Sequence, residues 1–113
     1  MHRAEETGKL ARAKARRLKE VGRIRDLLTQ RELTLAQIDE DYRLPRGTAG
    51  NALHEPHLAG ERAIAAALNT RPHLLWFSRY HPDGTRKSPQ PADNYRYGRR
   101  PMAADGAACG AAA

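Results

Sequence analysis

Residues 33–53, LTLAQIDEDYRLPRGTAGNAL, constrain the fold more than any other stretch of this chain. The Thr34 hydroxyl can accept from the free N–H groups that open a helix. Gln37, three residues on, can reach back, which is the pattern of a capping box. Leu35, Ile38 and Tyr42 recur at helical spacing and predict one apolar face. Arg43-Leu44-Pro45 ends that helix, because the residue before a proline is pushed out of the α region. Pro45 then suits the start of a second helix over 45–54, where its missing N–H costs nothing. That helix turns Ala49, Ala52 and Leu53 inward, and Arg46, Gly47, Gly50 and Asn51 outward. Two short helices joined by so tight a turn make a helix-turn-helix. With two glycines, an arginine and an asparagine on its outer face, the second helix stabilises itself poorly but suits close approach to a DNA major groove.

The remaining periodicity is helical too. Residues 9–30 place Leu18, Val21, Ile24, Leu27 and Leu28 on one face, with Gly22 a weak point worth roughly 1 kcal/mol relative to alanine. A loop at 55–59 is broken by Pro56. A helix over 60–69 turns Ala63, Ile64, Ala67 and Leu68 inward, and Thr70 is placed to cap a short helix over 71–78. Aromatic residues make up only 5% of the chain, so the core must be built from Leu, Ile, Val and Ala, with Trp76 and Tyr80 as its largest members. The expected fold class is all-α: a compact five-helix domain built around the helix-turn-helix. The chain divides into a basic N-terminal arm (1–14), the helix-turn-helix domain (15–80), an irregular basic arm (81–98) and an Ala/Gly-rich tail (99–113) that reads as disordered.

Charge is unevenly placed. The net charge is +7, of which residues 1–30 carry +5, residues 31–80 none and residues 81–113 +2. A basic flank beside a neutral folded core is the layout of a protein held to a polyanion by its flank and reading it with its core. The alternative for the basic helix face is an ordinary solvated surface. The single cysteine, Cys109, forms no intramolecular disulfide, which fits a reducing cytoplasm. No apolar run approaches membrane-spanning length, so a cytoplasmic, nucleoid-associated location is expected and no membrane partner.

Other constellations carry less. His54 and His57 lie three apart but Pro56 interrupts them, and no four-ligand spacing exists, so no metal or other cofactor is expected. Asp39-Glu40-Asp41 lacks a companion nucleophile or histidine and reads as a solvated outward face, not as acid–base machinery. Gly47 and Gly50 lack the strand and the G-K-[ST] of a phosphate-binding loop; they read either as poor helix formers near a helix start or as points of close backbone approach to DNA. Trp76 and Tyr80, four apart, read as core, with Ser78 and Arg79 beyond them able to touch phosphate. An enzyme is the least expected class.

Three patches resemble the Ner family, also called Ner-like or Nlp regulators, of transposable phages and proteobacteria: R-x-L-T-L at 31–35, N-A-L at 51–53, and G-E-x-x-I-A-x-A-L-x-T-x-P-x-x-x-W-x-S-R-Y at 60–80. The resemblance implies a compact all-helical domain of the phage-repressor type, sequence-specific DNA binding and transcriptional control, usually repression. Four positions depart from the pattern. Asp39 stands where such motifs usually carry a small residue and Arg43 where they carry glycine, while His57 and Phe77 replace a frequent aromatic and a frequent proline. The expected DNA contacts are Thr34, Gln37, Arg46, Thr48 and Asn51, with backbone approach at Gly47 and Gly50 and phosphate contacts from Arg16 and Arg17. Arg46 suits a guanine edge and Asn51 an adenine edge. The expected partners are double-stranded DNA and a second copy whose pairing is assisted by DNA. An alternative of another class is an adaptor that binds RNA polymerase or a co-regulator through the segments outside the motif.

Overall fold

The computed structural model describes residues 2–95, and the tail at 99–113, with Cys109, lies outside the described residues. Within them the chain forms five α-helices: α1 (His2–Gln30), α2 (Leu35–Asp41), α3 (Thr48–His54), α4 (Leu58–Ala67) and α5 (Pro72–Leu75). Two single 3-10 turns follow, at Phe77–Arg79 and Ala92–Asn94. Among the described residues, β-pairing is confined to one antiparallel bridge between Tyr80 and Arg86. The all-α class expected from the periodicity is what forms.

One core unites the helices. Val21, Ile24 and Leu28 of α1 meet Ile38 of α2, Ala49, Ala52 and Leu53 of α3, Ile64 and Leu68 at the end of α4, and Leu75, Trp76 and Tyr80. Leu18, expected on this face, is instead 54% exposed. It lies six residues before Ile24, about 120° round the helix. The buried line runs back from Val21 through Arg17, which is half-buried, to Ala13. Tyr42, also expected inside, falls just beyond α2 and is 41% exposed.

Helix ends explain most boundary differences. Thr34 caps α2 as the sequence indicates, its hydroxyl accepting from the Gln37 N–H at 3.1 Å. Gln37 does not reach back; its amide donates to Asp41 at 2.7 Å. Helix α4 starts at Leu58, two residues early, because His57 caps it. His57 Nδ1 accepts from the Gly60 N–H at 3.1 Å, and Glu61 accepts from the His57 N–H at 2.7 Å. Thr70 is not a side-chain cap: Arg71 precedes α5, with Pro72 in its first turn. The expected helix over 71–78 breaks at Trp76, where the carboxylate of Glu20 on α1 accepts from the Ser78 N–H at 3.0 Å and from its hydroxyl at 2.8 Å.

The packed unit does not stop at Tyr80. Gln90 and Asn94 are buried, and their side-chain amides donate to carbonyls of Arg79, Lys87 and Ser78. Arg17 donates to the Asp93 carbonyl and ties this segment to α1. Residues 81–95, expected as an arm, therefore return onto the domain. Amide side chains answering irregular backbone leave no periodic signal to read.

Candidate nucleic-acid interface

The second helix of the motif begins at Thr48, not Pro45, because Gly47 takes a left-handed conformation with φ 89°. Glycine adopts it without the Cβ clash that other residues meet. Arg46 consequently lies in the turn that leads into α3, one residue before its cap. Gly47 has no side chain to satisfy the helix start, and Asp39 supplies one from the neighbouring helix. Its two carboxylate oxygens accept from the Gly47 and Ala49 N–H groups, both at 2.8 Å. The expectation of a solvated Asp39 is thus overturned: it is 6% exposed. It lies one turn after Leu35 and beside Ile38, on the edge of the buried face, and a helix start favours a negative charge.

The other end of α3 is held as firmly. The Arg79 guanidinium is 3% exposed and donates to the Ala52 carbonyl at 2.6 Å and the Leu53 carbonyl at 3.3 Å. It is therefore not placed to touch phosphate. A cation at a helix C-terminus satisfies the unpaired carbonyls and complements the helix dipole. Arg79 also stacks over the Trp76 ring, 4.8 Å from its centroid.

Glu61 pays for this arginine's burial. Fully buried, it meets Arg79 at 3.3 Å, Arg86 at 3.1 Å and the Tyr80 hydroxyl at 2.7 Å. Burial pushes the Glu61 carboxyl up, but the Arg86 hydrogen bond, the Arg79 charge and the Tyr80 hydroxyl outweigh it, leaving its pKa below the ordinary value. Burial pulls the Arg79 guanidinium down to about 10, against the opposing pull of Glu61, and it stays charged at neutral pH. Burial and the Glu61 bond push Tyr80 up to about 12.

Helix α4 presses α3 from behind. A Cβ on Gly60 would stand 2.4 Å from the Ala52 Cβ and 3.2 Å from the Thr48 carbonyl. A Cβ on Gly50, by contrast, would meet nothing within 4 Å.

The structure brings the sequence-predicted residues together unevenly. Arg46, Gly47 and Asn51 are exposed and Thr48 and Gly50 half-buried, all at the outer side of α3 or the turn before it. Thr34 and Gln37 are exposed at the start of α2. Arg16 is exposed on α1, whereas Arg17 is half-buried and bonded to Asp93. Sequence reasoning missed Asp39, Glu61 and Arg79. The one available signal was the departure at Asp39, a carboxylate eight residues before a glycine with no cap of its own.

A family model described as winged helix-turn-helix DNA-binding matches residues 21–91, more than half the chain. The negative regulator of transcription of Escherichia phage Mu is 38% identical over 53 residues, which cover 47% of this chain and 71% of that protein. No solved structure matches significantly. These matches favour DNA binding over the adaptor reading. The chain belongs to the winged helix-turn-helix DNA-binding family, among the Ner-like transcriptional regulators.

Proposed function

We propose that this regulator reads a specific double-stranded DNA site in the major groove with α3, and that its binding represses transcription. The observation that carries this reading is the treatment of α3. Its two ends are fixed by Asp39 and Arg79 while its outer side, with Asn51 and the open space over Gly50, is left uncovered. A seven-residue helix with Gly47 as its cap and Gly50 in its first turn gains little from its own propensity, so rigid clamping serves presentation of its outer face. Repression is supported by the relative's description as a negative regulator.

In this reading Arg46 and Asn51 recognise base edges, Thr34, Gln37 and Thr48 position the motif on the backbone, and Gly47 and Gly50 permit close approach. Arg16 contacts phosphate, and Arg17 contributes charge from its anchored position. One short helix reads few base pairs, so two copies on half-sites about one DNA turn, roughly 34 Å, apart supply selectivity, their pairing assisted by DNA. The protein acts at the nucleoid. Among the described residues no helix is long and apolar enough to cross a membrane.

The test is a gel-shift series on a selected site and on random DNA. Arg46→Ala and Asn51→Ala should each cost about 1–3 kcal/mol on the selected site and much less on random DNA. Equal losses on both DNAs would rule out direct reading by this helix.

A further inference from the structure

The face of the molecule formed by α5, the Phe77–Arg79 turn and the adjoining side of α1 carries an apolar ridge inside a basic frame. Leu74 is 50% exposed and Phe77 57% exposed, and the two line one shared concavity as a single apolar patch. Three concavities meet at this ridge. One of about 450 Å³ runs between Phe77 and Arg16, Lys19 and Arg23 of α1. One of about 630 Å³ lies between Leu74, Phe77 and Lys87. A third, of about 410 Å³, joins Leu74 to Arg23.

The frame is one-signed. The lining acid, Glu20, is bonded to Ser78 and so turned to the domain's own backbone. Arg23 is held in place, donating to the Leu75 carbonyl at 2.6 Å and lying 4.7 Å above the Phe77 ring. It is a preformed cation beside an exposed aromatic ring.

From this geometry we infer that the Leu74–Phe77 ridge is a docking surface for an acidic amphipathic segment of a partner protein, one that carries Leu or aromatic side chains on one face of a helix and Asp or Glu around them. Apolar anchors enter the concavities beside Phe77 and Leu74, and the acids meet Lys19 and Lys87. Charge complementarity selects this occupant. A second copy would bring the same basic frame against itself, which like-charge juxtaposition disfavours. The chain's own segment after residue 95 carries Arg96, Arg99 and Arg100 against a single acid, Asp105, and is repelled likewise. DNA would meet the cations but leave Leu74 and Phe77 without an apolar counterpart.

The probe is a fluorescein-labelled synthetic peptide of about 14 residues with Leu and Phe at i, i+3, i+4 and i+7 and Asp or Glu elsewhere. It is titrated by anisotropy into the full chain and into Phe77→Ser and Leu74→Ser variants, whose folding is checked by thermal melting. We expect saturable binding, weakened about tenfold or more in either variant, with DNA affinity unchanged. Four results would each overturn the inference: no saturable binding; equal binding of a peptide whose apolar positions are serine; loss of DNA affinity in the Phe77→Ser variant, which assigns the face to DNA; or a fall in the sedimenting mass of the free protein on that substitution, which assigns it to a second copy.

Discussion

Asp39 and Arg79 grip opposite ends of α3. The carboxylate accepts from the Gly47 and Ala49 N–H groups at its start, and the guanidinium donates to the Ala52 and Leu53 carbonyls at its finish. The helix is only seven residues long, and these two side chains satisfy about half of the backbone groups that its ends leave unpaired. Asp39→Ala should destabilise the domain by about 0.5–2 kcal/mol, as loss of a helix cap does, with the measurement made by urea unfolding. Specific DNA affinity should fall further than stability alone explains, because the turn that carries Arg46 loosens with it. Asp39→Asn keeps one acceptor and should lose less. A variant that unfolds with the same midpoint as the parent would show that the cap contributes nothing.

Breaking the buried cluster from its acidic side should be more damaging. Glu61→Gln leaves Arg79 and Arg86 facing a neutral partner, and loss of one member of a buried pair costs about 3–5 kcal/mol. The pH dependence has a defined sign. Glu61 has a folded pKa below its ordinary value near 4.5, so its contribution is present above that value and is lost as the pH falls through the folded pKa. The parent should therefore lose stability as the pH falls below about 4.5, with a steeper fall than Glu61→Gln shows. Denaturant midpoints measured from pH 7 down to pH 3 would check it.

Arg43 occupies the turn of the motif at φ 55°, a left-handed conformation that glycine adopts more cheaply. Its amide still closes the turn on the Glu40 carbonyl at 3.2 Å. Since the side chain is exposed, Arg43→Gly should stabilise the domain by about 1 kcal/mol, less the added entropy of the unfolded chain. Thermal melting would reveal it, and a lower melting temperature would mean that the arginine makes a compensating contact.

The two glycines near the interface should part company. Gly50→Ala meets open space and should stabilise α3 by roughly 0.5–1 kcal/mol, while weakening specific DNA binding if the backbone must approach the groove closely. Gly60→Ala drives a methyl into Ala52 and against the Thr48 carbonyl, and should destabilise by about 1–3 kcal/mol. Unfolding and gel-shift measurements on the same two variants separate the effects. Unaltered DNA affinity in Gly50→Ala would argue against close backbone approach.

The exposed cations of α1 should supply affinity with little sequence preference. Replacing Arg12, Lys14 and Arg16 with glutamine spares Arg17, which is bonded to the domain, and spares the buried Ala13. Each phosphate contact removed should flatten the log–log dependence of affinity on salt by about 0.9. A slope unaltered by all three substitutions would show that this face of α1 points away from DNA.

Local chemistry made much of this protein legible from its sequence. Thr34, the Pro45 break and the apolar spacing of Ile38, Ala49, Ala52, Leu53 and Ile64 determined two short helices, a tight turn and a helical core, because caps, proline sterics and helical period act within a few residues. The outer face of α3 followed from the same period. Only the tertiary structure decided where the charges went. Asp39 reads as surface in isolation, and its burial depends on a glycine cap eight residues away that lacks a side chain of its own. Arg79 and Glu61 are 18 residues apart in sequence, and neither carries a periodic signal. The return of residues 81–95 was hidden for a related reason: Gln90 and Asn94 are held by irregular carbonyls that exist only once Arg79 and Ser78 are in place. Hydrophobic pattern announces itself along the chain, whereas a buried polar group is satisfied by whatever the fold brings to it, and that pairing is settled in three dimensions.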